Sequence, residues 1–187
     1  MILISVAHNS IDRGAHNEKF NVSEYELSQK MSYACLDALR NNGIGAMVFD
    51  VGPVNPHKGK KIRTVDLHEP QLALEIHLNS APKPGNYSSV FYKSGSEQTQ
   101  KLSLELSSML GKLTKTTKPK CIGIPEPGYD TERYWFITKT CVPAIIIEPL
   151  FINNDKHMEF LLEAGNLEAV GREIGKEIAL WAGLKKE

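Results

Sequence analysis

The chain has 187 residues, with 22 basic side chains, 22 acidic side chains and 3 cysteines. This length suits one domain with its own core, and the balanced charge disfavours nucleic acid as a partner. No stretch has the roughly 18 apolar residues of a membrane span, and scattered cysteines argue against a disulfide framework. The amino terminus lacks the basic region of a secretory signal, so we expect synthesis in the cytoplasm without a signal of its own.

Strand-like and helix-like segments alternate along the chain, which predicts an α/β fold. In chain order, the predicted strands cover residues 2–7, 46–49, 72–77, 89–92, 134–137 and 144–148. The predicted helices cover residues 23–42, 96–113 and 167–181. A stretch rich in proline and glycine, residues 114–131, is predicted to be a long functional loop.

Two histidines stand at the carboxyl ends of apolar runs that are typical of buried strands. His8 follows the first run, and His77 ends the third predicted strand. In a parallel sheet these ends lie at one edge, where ligands bind. Catalytic zinc takes three histidine or carboxylate ligands and leaves a fourth position for water. Either histidine alone would be typical of a hydrogen-bonded core residue, but two histidines and a nearby carboxylate together indicate a metal site.

Glu24 and Glu26 compete to be the third ligand. Ser23 and Glu26 match a capping box, in which the glutamate bonds back to the backbone of the first residue. The two glutamates point about 200° apart around a helix that turns about 100° per residue. We therefore predict that Glu26 caps the helix and that Glu24 faces the metal. Without the histidines, both glutamates would be interpreted as complements to the helix dipole.

Glu148 follows three isoleucines at the end of the last predicted strand. A buried carboxylate is costly unless a metal, a charged partner or a proton satisfies it. Burial also raises the pKa of a carboxylic acid towards neutrality, which suits a general base beside a metal. The alternative interpretation is a structural glutamate paired with an arginine or a lysine.

Two segments resemble motifs of the zinc-dependent N-acetylmuramoyl-L-alanine amidases of the amidase 3 type. They are EIHLNSAP at residues 75–82 and PAIIIEPLFINN at residues 143–154, and the resemblance extends over nearly the whole chain. The family usually has glycines around its first histidine, where this chain has Ala7, Asn9 and Ser10. That departure concerns the first loop and leaves the histidine itself in place.

The resemblance implies a mostly parallel, mixed six-stranded sheet with helices on both faces, and one catalytic domain over residues 1–187. It implies one Zn²⁺ ion on His8, Glu24 and His77, with Glu148 as the catalytic base and Asn79 as a substrate contact. The implied reaction is hydrolysis of the amide between N-acetylmuramic acid and L-alanine in peptidoglycan. Without a separate wall-binding region, the chain is more similar to a phage or prophage endolysin than to an exported amidase.

Two other functions stay open. A zinc carboxypeptidase or aminopeptidase is the first, and a carboxypeptidase would need Arg63 or Arg133 to hold the terminal carboxylate of its substrate. A non-catalytic wall-binding module is the second, although none of the four metal or base positions is lost. The same ligand set also occurs in non-haem iron oxygenases. The remaining histidines are expected to be solvated or at the surface: His16, His57, His68 and His157.

Overall fold

The computed structural model describes residues 1–54, 58–125 and 134–183. Within these ranges the strands are β1 (Ile2–Val6), β2 (His16–Asn17), β3 (Val22–Ser23), β4 (Ala46–Phe49), β5 (Leu72–Ile76), β6 (Ser89–Lys93), β7 (Lys120–Ile124) and β8 (Ala144–Glu148). The helices are α1 (Glu24–Asn41), α2 (Lys58–His68), α3 (Glu97–Leu113), α4 (Trp135–Lys139), α5 (Asp155–Leu162) and α6 (Asn166–Gly183). The predicted α/β alternation is therefore confirmed.

Six of the strands form one sheet in the order β4-β1-β5-β8-β6-β7. Strands β4, β1, β5 and β8 are parallel to one another, whereas β6 pairs with β8 in the antiparallel sense and β7 runs parallel to β6. This confirms the mixed, mostly parallel six-stranded sheet. Because β1, β5 and β8 are neighbours, their carboxyl ends lie side by side at one edge.

Helices cover both faces of the sheet, as predicted. Alternate residues of the central strands, such as Ile4 and Leu74, face a core that α1, α3 and α6 complete. The intervening residues, such as Leu3 and Ala73, face a second core that α2 and α4 complete. The central strands are apolar on both faces, which is why they appear in the sequence as continuous hydrophobic runs.

Helix α6 packs closely along α1 through two glycines one turn apart. A Cβ atom at Gly171 would overlap the carbonyl oxygen of Met31, and one at Gly175 would overlap that of Cys35. This close approach fixes the position of α1 on the sheet, and with it the side chains of its first turn. None of the helices in the described ranges is both long enough and apolar enough to cross a membrane.

The structure differs from the predicted elements between and beyond the central strands. The prediction of a strand at residues 134–137 is wrong, because Trp135–Lys139 form the short helix α4. Strand β7 lies inside the predicted long loop, of which residues 126–131 fall outside the described ranges. Helices α2 and α5 were not predicted. A segment of five residues contains too few positions to distinguish the strand period from the helix period.

Candidate metal centre

Side chains from two strand ends and one helix start meet at the carboxyl edge of the sheet. His8 follows β1, His77 follows β5, and Glu24 is the first residue of α1. The Nε2 atom of His8 lies 3.1 Å from Glu24 Oε2, and the Nδ1 atom of His77 lies 2.8 Å from Glu24 Oε1. One donor atom from each residue lies within 4.8 Å of the others. The structure therefore brings together the three residues that we expect to bind a metal.

The first turn of α1 separates the roles of its two glutamates. Ser23 and Glu26 form the predicted capping box: Ser23 N–H donates to Glu26 Oε2 over 3.0 Å, and Glu26 N–H donates to Ser23 Oγ over 3.4 Å. Arg13 forms an ion pair with Glu26 as well. Glu24 is instead buried at the histidines. The predicted capping box is therefore confirmed, whereas the binding of a metal by Glu24 stays a prediction.

Backbone and imidazole donors compensate the burial of Glu24. Ala15 N–H donates to Oε2 over 3.2 Å, and Leu78 N–H donates to Oε1 over 3.1 Å. Burial by itself raises the pKa of the Glu24 carboxyl, but the hydrogen bonds with His77 and His8 outweigh it and hold the pKa well below its usual range. Glu24 is therefore a carboxylate at neutral pH, which is the form that binds a cation.

His77 lies between two carboxylates. Its Nδ1 faces Glu24, and its Nε2 lies 3.2 Å from Oε2 of Glu75. Burial alone lowers the pKa of His77, yet the bonds to Glu24 and Glu75 raise it to about 10. A positive ion is thus favoured at this place, whether it is a proton on the imidazole or a metal that replaces the proton.

The loop after β1 is held by polar contacts rather than by the glycines that the family usually has there. His8 adopts a positive φ of 59°. Next to it, the buried Asn9 accepts hydrogen bonds from the N–H groups of Ile11 and Asp12 and donates to the Val54 carbonyl over 2.7 Å. The Asn9 side chain fixes the path of the loop, so the missing glycines do not displace His8.

Ser28 is a positioning residue that the sequence analysis missed. Its hydroxyl accepts from Ala7 N–H over 3.0 Å and donates to the Ile76 carbonyl over 2.5 Å. Both partners precede a site histidine, and Ser28 lies one turn after Glu24 on α1. The hydroxyl therefore connects all three elements that supply the donor atoms.

Gly14 lies against the donor atoms and was also missed. It has a φ of +70°, and a Cβ atom there would lie 2.6 Å from His8 Nε2 and 2.8 Å from Glu24 Oε2. Any side chain at this position would enter the space between two of the donors. Glycine is thus required both by the backbone conformation and by the proximity of the site.

If zinc binds at these donors as the sequence predicts, we expect Gly14→Ala to lower its affinity by about 10–100-fold, the range seen when the surroundings of metal ligands are disturbed. The reason is steric, because the added methyl group overlaps His8 and Glu24. Gly52→Ala is the matched control, since Gly52 has a φ of +71° with open space around its Cβ position. Competition with a chelating dye measures both affinities; equal values for the two variants would contradict the steric argument.

The three donors line a cavity of about 360 Å³ that also contains Glu148. Glu148 ends β8, beside β5, and is 8% exposed. Ser89 Oγ donates to Glu148 Oε2 over 3.1 Å. Tyr134 and Trp135 of the α4 region also line the cavity. The structure therefore places the predicted base in the same cavity as the predicted metal ligands.

Asn79 is buried three residues after the end of β5. Its backbone forms a parallel bridge with Phe151: Asn79 N–H donates to Leu150 O, and Ile152 N–H donates to Asn79 O. The neighbours of Asn79 in sequence, Leu78 and Ser80, line the cavity. These contacts describe a strand-end role for the Asn79 backbone, and its contact with substrate stays a prediction.

The prediction that His157 lies at the surface is wrong. His157 is 6% exposed, accepts from Phe151 N–H through Nδ1 over 3.0 Å and has Asn86 Oδ1 3.1 Å from its Nε2. Burial lowers the pKa of this imidazole. The prediction failed because the polar residues before His157 gave no sign of helix α5. In that helix His157, Met158 and Leu161 are buried together.

The remaining expectations concern three histidines and two arginines. His16 and His68 are exposed, as predicted. Arg63 is exposed on α2 and does not line the cavity, so it gives no support to a carboxypeptidase. His57 and Arg133 lie outside the described residues.

The family model described as N-acetylmuramoyl-L-alanine amidase, Amidase_3, matches residues 2–179. No curated protein matches the chain in sequence.

Solved structures of two amidases and of one endolysin share the fold. The CwlD amidase from Clostridioides difficile, solved with the GerS lipoprotein, has a TM-score of 0.83 and 16% identity and covers 98% of each chain. The catalytic domain of CwlV from Bacillus (Paenibacillus) polymyxa has a TM-score of 0.81 and 16% identity, over 97% of each chain. The catalytic domain of the CD27L endolysin, which targets Clostridia difficile, has a TM-score of 0.76 and 21% identity, over 95% of each chain. Since the family model spans nearly the whole length, the chain belongs to the Amidase_3 family and is an enzyme of the N-acetylmuramoyl-L-alanine amidase class.

Proposed function

We propose that this protein uses one zinc ion to cleave the amide between the lactyl group of N-acetylmuramic acid and L-alanine in peptidoglycan. Family membership supports hydrolysis of a peptidoglycan amide and action on the cell wall. The observation that carries the proposal is the meeting of the His8, Glu24 and His77 donor atoms in the cavity that contains Glu148. The proposal assigns the reaction to residues 1–187 as one catalytic domain.

The donor set fits zinc in type and in spacing. Two imidazole nitrogens and a carboxylate are typical ligands of catalytic zinc. Tetrahedral ligands with bonds of about 2.0–2.2 Å lie roughly 3.3–3.6 Å apart. Glu24 Oε2 lies 3.1 Å from His8 and Glu24 Oε1 lies 2.8 Å from His77, and one donor atom from each of the three residues lies within 4.8 Å of the others. When bound, zinc supplies a Lewis acid that polarises the scissile carbonyl and lowers the pKa of water.

Glu148 is the proposed general base. Its carboxylate lies in the cavity at the end of β8, where it accepts a proton from the attacking water and returns it to the leaving amine of L-alanine. The Ser89 hydroxyl orients the carboxylate by donating to Oε2. Glu148 is only 8% exposed, which limits its contact with bulk water.

Digestion of purified peptidoglycan tests the proposal. We expect new alanine amino termini and no new reducing sugar ends. Treatment with a chelator is expected to abolish their formation, and added zinc is expected to restore it. The release of free carboxyl-terminal amino acids instead would indicate the carboxypeptidase alternative.

A folded, zinc-loaded protein that bound peptidoglycan of several chemotypes but released no termini would contradict the proposal and support a wall-binding module. Activity that survived exhaustive chelation would contradict the metal dependence alone. Alanine amino termini, free amino acids and binding without cleavage are therefore the three results that separate the proposed amidase from both alternatives.

A further inference from the structure

A buried ion pair lies directly beneath the proposed metal centre and has no part in the proposed reaction. Glu75 is 1% exposed in the middle of the sheet, and Lys61 of α2 is also 1% exposed. Lys61 Nζ donates to Glu75 Oε1 over 2.8 Å and to the Val6 carbonyl over 2.6 Å. Ser5 Oγ donates to the same oxygen of Glu75 over 2.9 Å. A buried pair of this kind adds little to stability compared with apolar residues, so its presence calls for another reason.

The two oxygens of Glu75 have different partners. Oε1 receives the donors of Ser5 and Lys61, whereas Oε2 lies 3.2 Å from His77 Nε2. The opposite ring nitrogen of His77, Nδ1, is the one that faces Glu24. A carboxylate on the outer nitrogen of a metal-binding histidine fixes its tautomer and the orientation of its ring.

We propose that Glu75, held by Lys61 and Ser5, positions His77 so that Nε2 carries the proton and Nδ1 is presented to the metal. This inference rests on the proposed zinc site and adds a positioning residue to it. Lys61 contributes by holding Oε1 of Glu75 and by tying it to the end of β1, two residues before His8. The ion pair thus connects both histidine-bearing strands under the metal.

The variant Glu75→Gln tests the positioning role. The donors at Oε1 determine which end of the glutamine amide, the oxygen or the NH₂ group, faces His77. Ser5 and Lys61 both donate to that position, so the amide oxygen is expected to stay there and the NH₂ group to face His77. An NH₂ group opposes a proton on Nε2 and favours the tautomer with the proton on Nδ1. That tautomer cannot offer Nδ1 to zinc.

We expect Glu75→Gln to lower zinc affinity by about 10–100-fold. In the zinc-loaded wild type, nitrogen–proton correlation spectra are expected to show a His77 Nε2 proton shifted far downfield by its bond to the carboxylate. That signal is expected to disappear in the variant. Ser5→Ala is the milder comparison, because it removes one of the two side-chain donors at Oε1 but leaves the carboxylate and Lys61 in place. It is expected to lower zinc affinity by less than Glu75→Gln does and to keep the downfield proton.

Where Glu75→Gln fails to fold because Lys61 lacks a charged partner, the double variant Glu75→Leu with Lys61→Met replaces the pair with apolar side chains of similar volume. We expect this double variant to lose about 10–100-fold in zinc affinity, the range for loss of a residue that hydrogen-bonds a metal ligand. It is also expected to lose the downfield proton. A folded variant with wild-type affinity and an unchanged Nε2 proton would overturn the inference. Wild-type protein that binds no zinc would instead overturn the proposed metal site, so the two failures are distinguishable.

Discussion

Glu148→Gln is expected to lower kcat for the release of alanine amino termini by about 10²–10⁴-fold, the usual contribution of general acid–base catalysis. Glutamine keeps the size of the side chain but does not accept the proton of the attacking water. Glu148 lines the cavity without belonging to the three-residue donor cluster, so zinc content is expected to stay at the wild-type level. Quantification of new amino termini on purified peptidoglycan, together with metal analysis, measures both effects.

Ser89→Ala serves as the control for Glu148. It removes the hydroxyl that donates to Glu148 Oε2 and leaves the carboxylate in place. A small decrease in kcat is therefore expected, well short of that for Glu148→Gln. Glu148→Gln protein that bound zinc and retained wild-type kcat would show that another group takes the proton. Loss of zinc in the same variant would show that Glu148 belongs to the metal site rather than to catalysis.

The central part of the fold was predictable because the parallel strands are buried on both faces. Such strands appear as short continuous apolar runs, and the residue that ends each run must lie at the ligand-binding edge. His8, His77 and Glu148 were predicted as site residues on that basis. The assignment of Glu24 needed one further step, since the capping box occupies Glu26. These residues follow from local patterns, and the local patterns agree with the tertiary structure.

The supporting residues were missed because their roles depend on distant parts of the chain. Glu75 interrupts an apolar run and could have been interpreted as Glu148 was, as a buried charge that needs a partner. Its partner Lys61 lies on α2, a helix with a weak apolar pattern that was not predicted. Gly14 is required by the three-dimensional proximity of His8 and Glu24, which no spacing in the sequence reveals.

Glu24→Gln is expected to lower zinc affinity by more than the 10–100-fold or so that loss of an outer partner causes, because it removes the only carboxylate of the three-residue donor cluster. Glutamine preserves the length of the side chain. Its amide oxygen can still accept from one of the two backbone N–H groups that bond to the Glu24 carboxylate. Hydrolysis is expected to fall to the level of the chelated enzyme. Affinity is measured by competition with a chelating dye, and folding by circular dichroism and thermal unfolding.

Glu26→Gln is the matched control, since it makes the same chemical change two residues later in the same helical turn. Glutamine at this position also completes a capping box, so stability is expected to stay within about 0.5 kcal/mol of wild type. Equal zinc affinities for the two variants would show that Glu24 is not a ligand. A selective loss in Glu26→Gln would assign the metal to the other face of the turn. A selective loss in Glu24→Gln, with zinc retained in Glu148→Gln, would separate the residue that binds the metal from the residue that moves the proton.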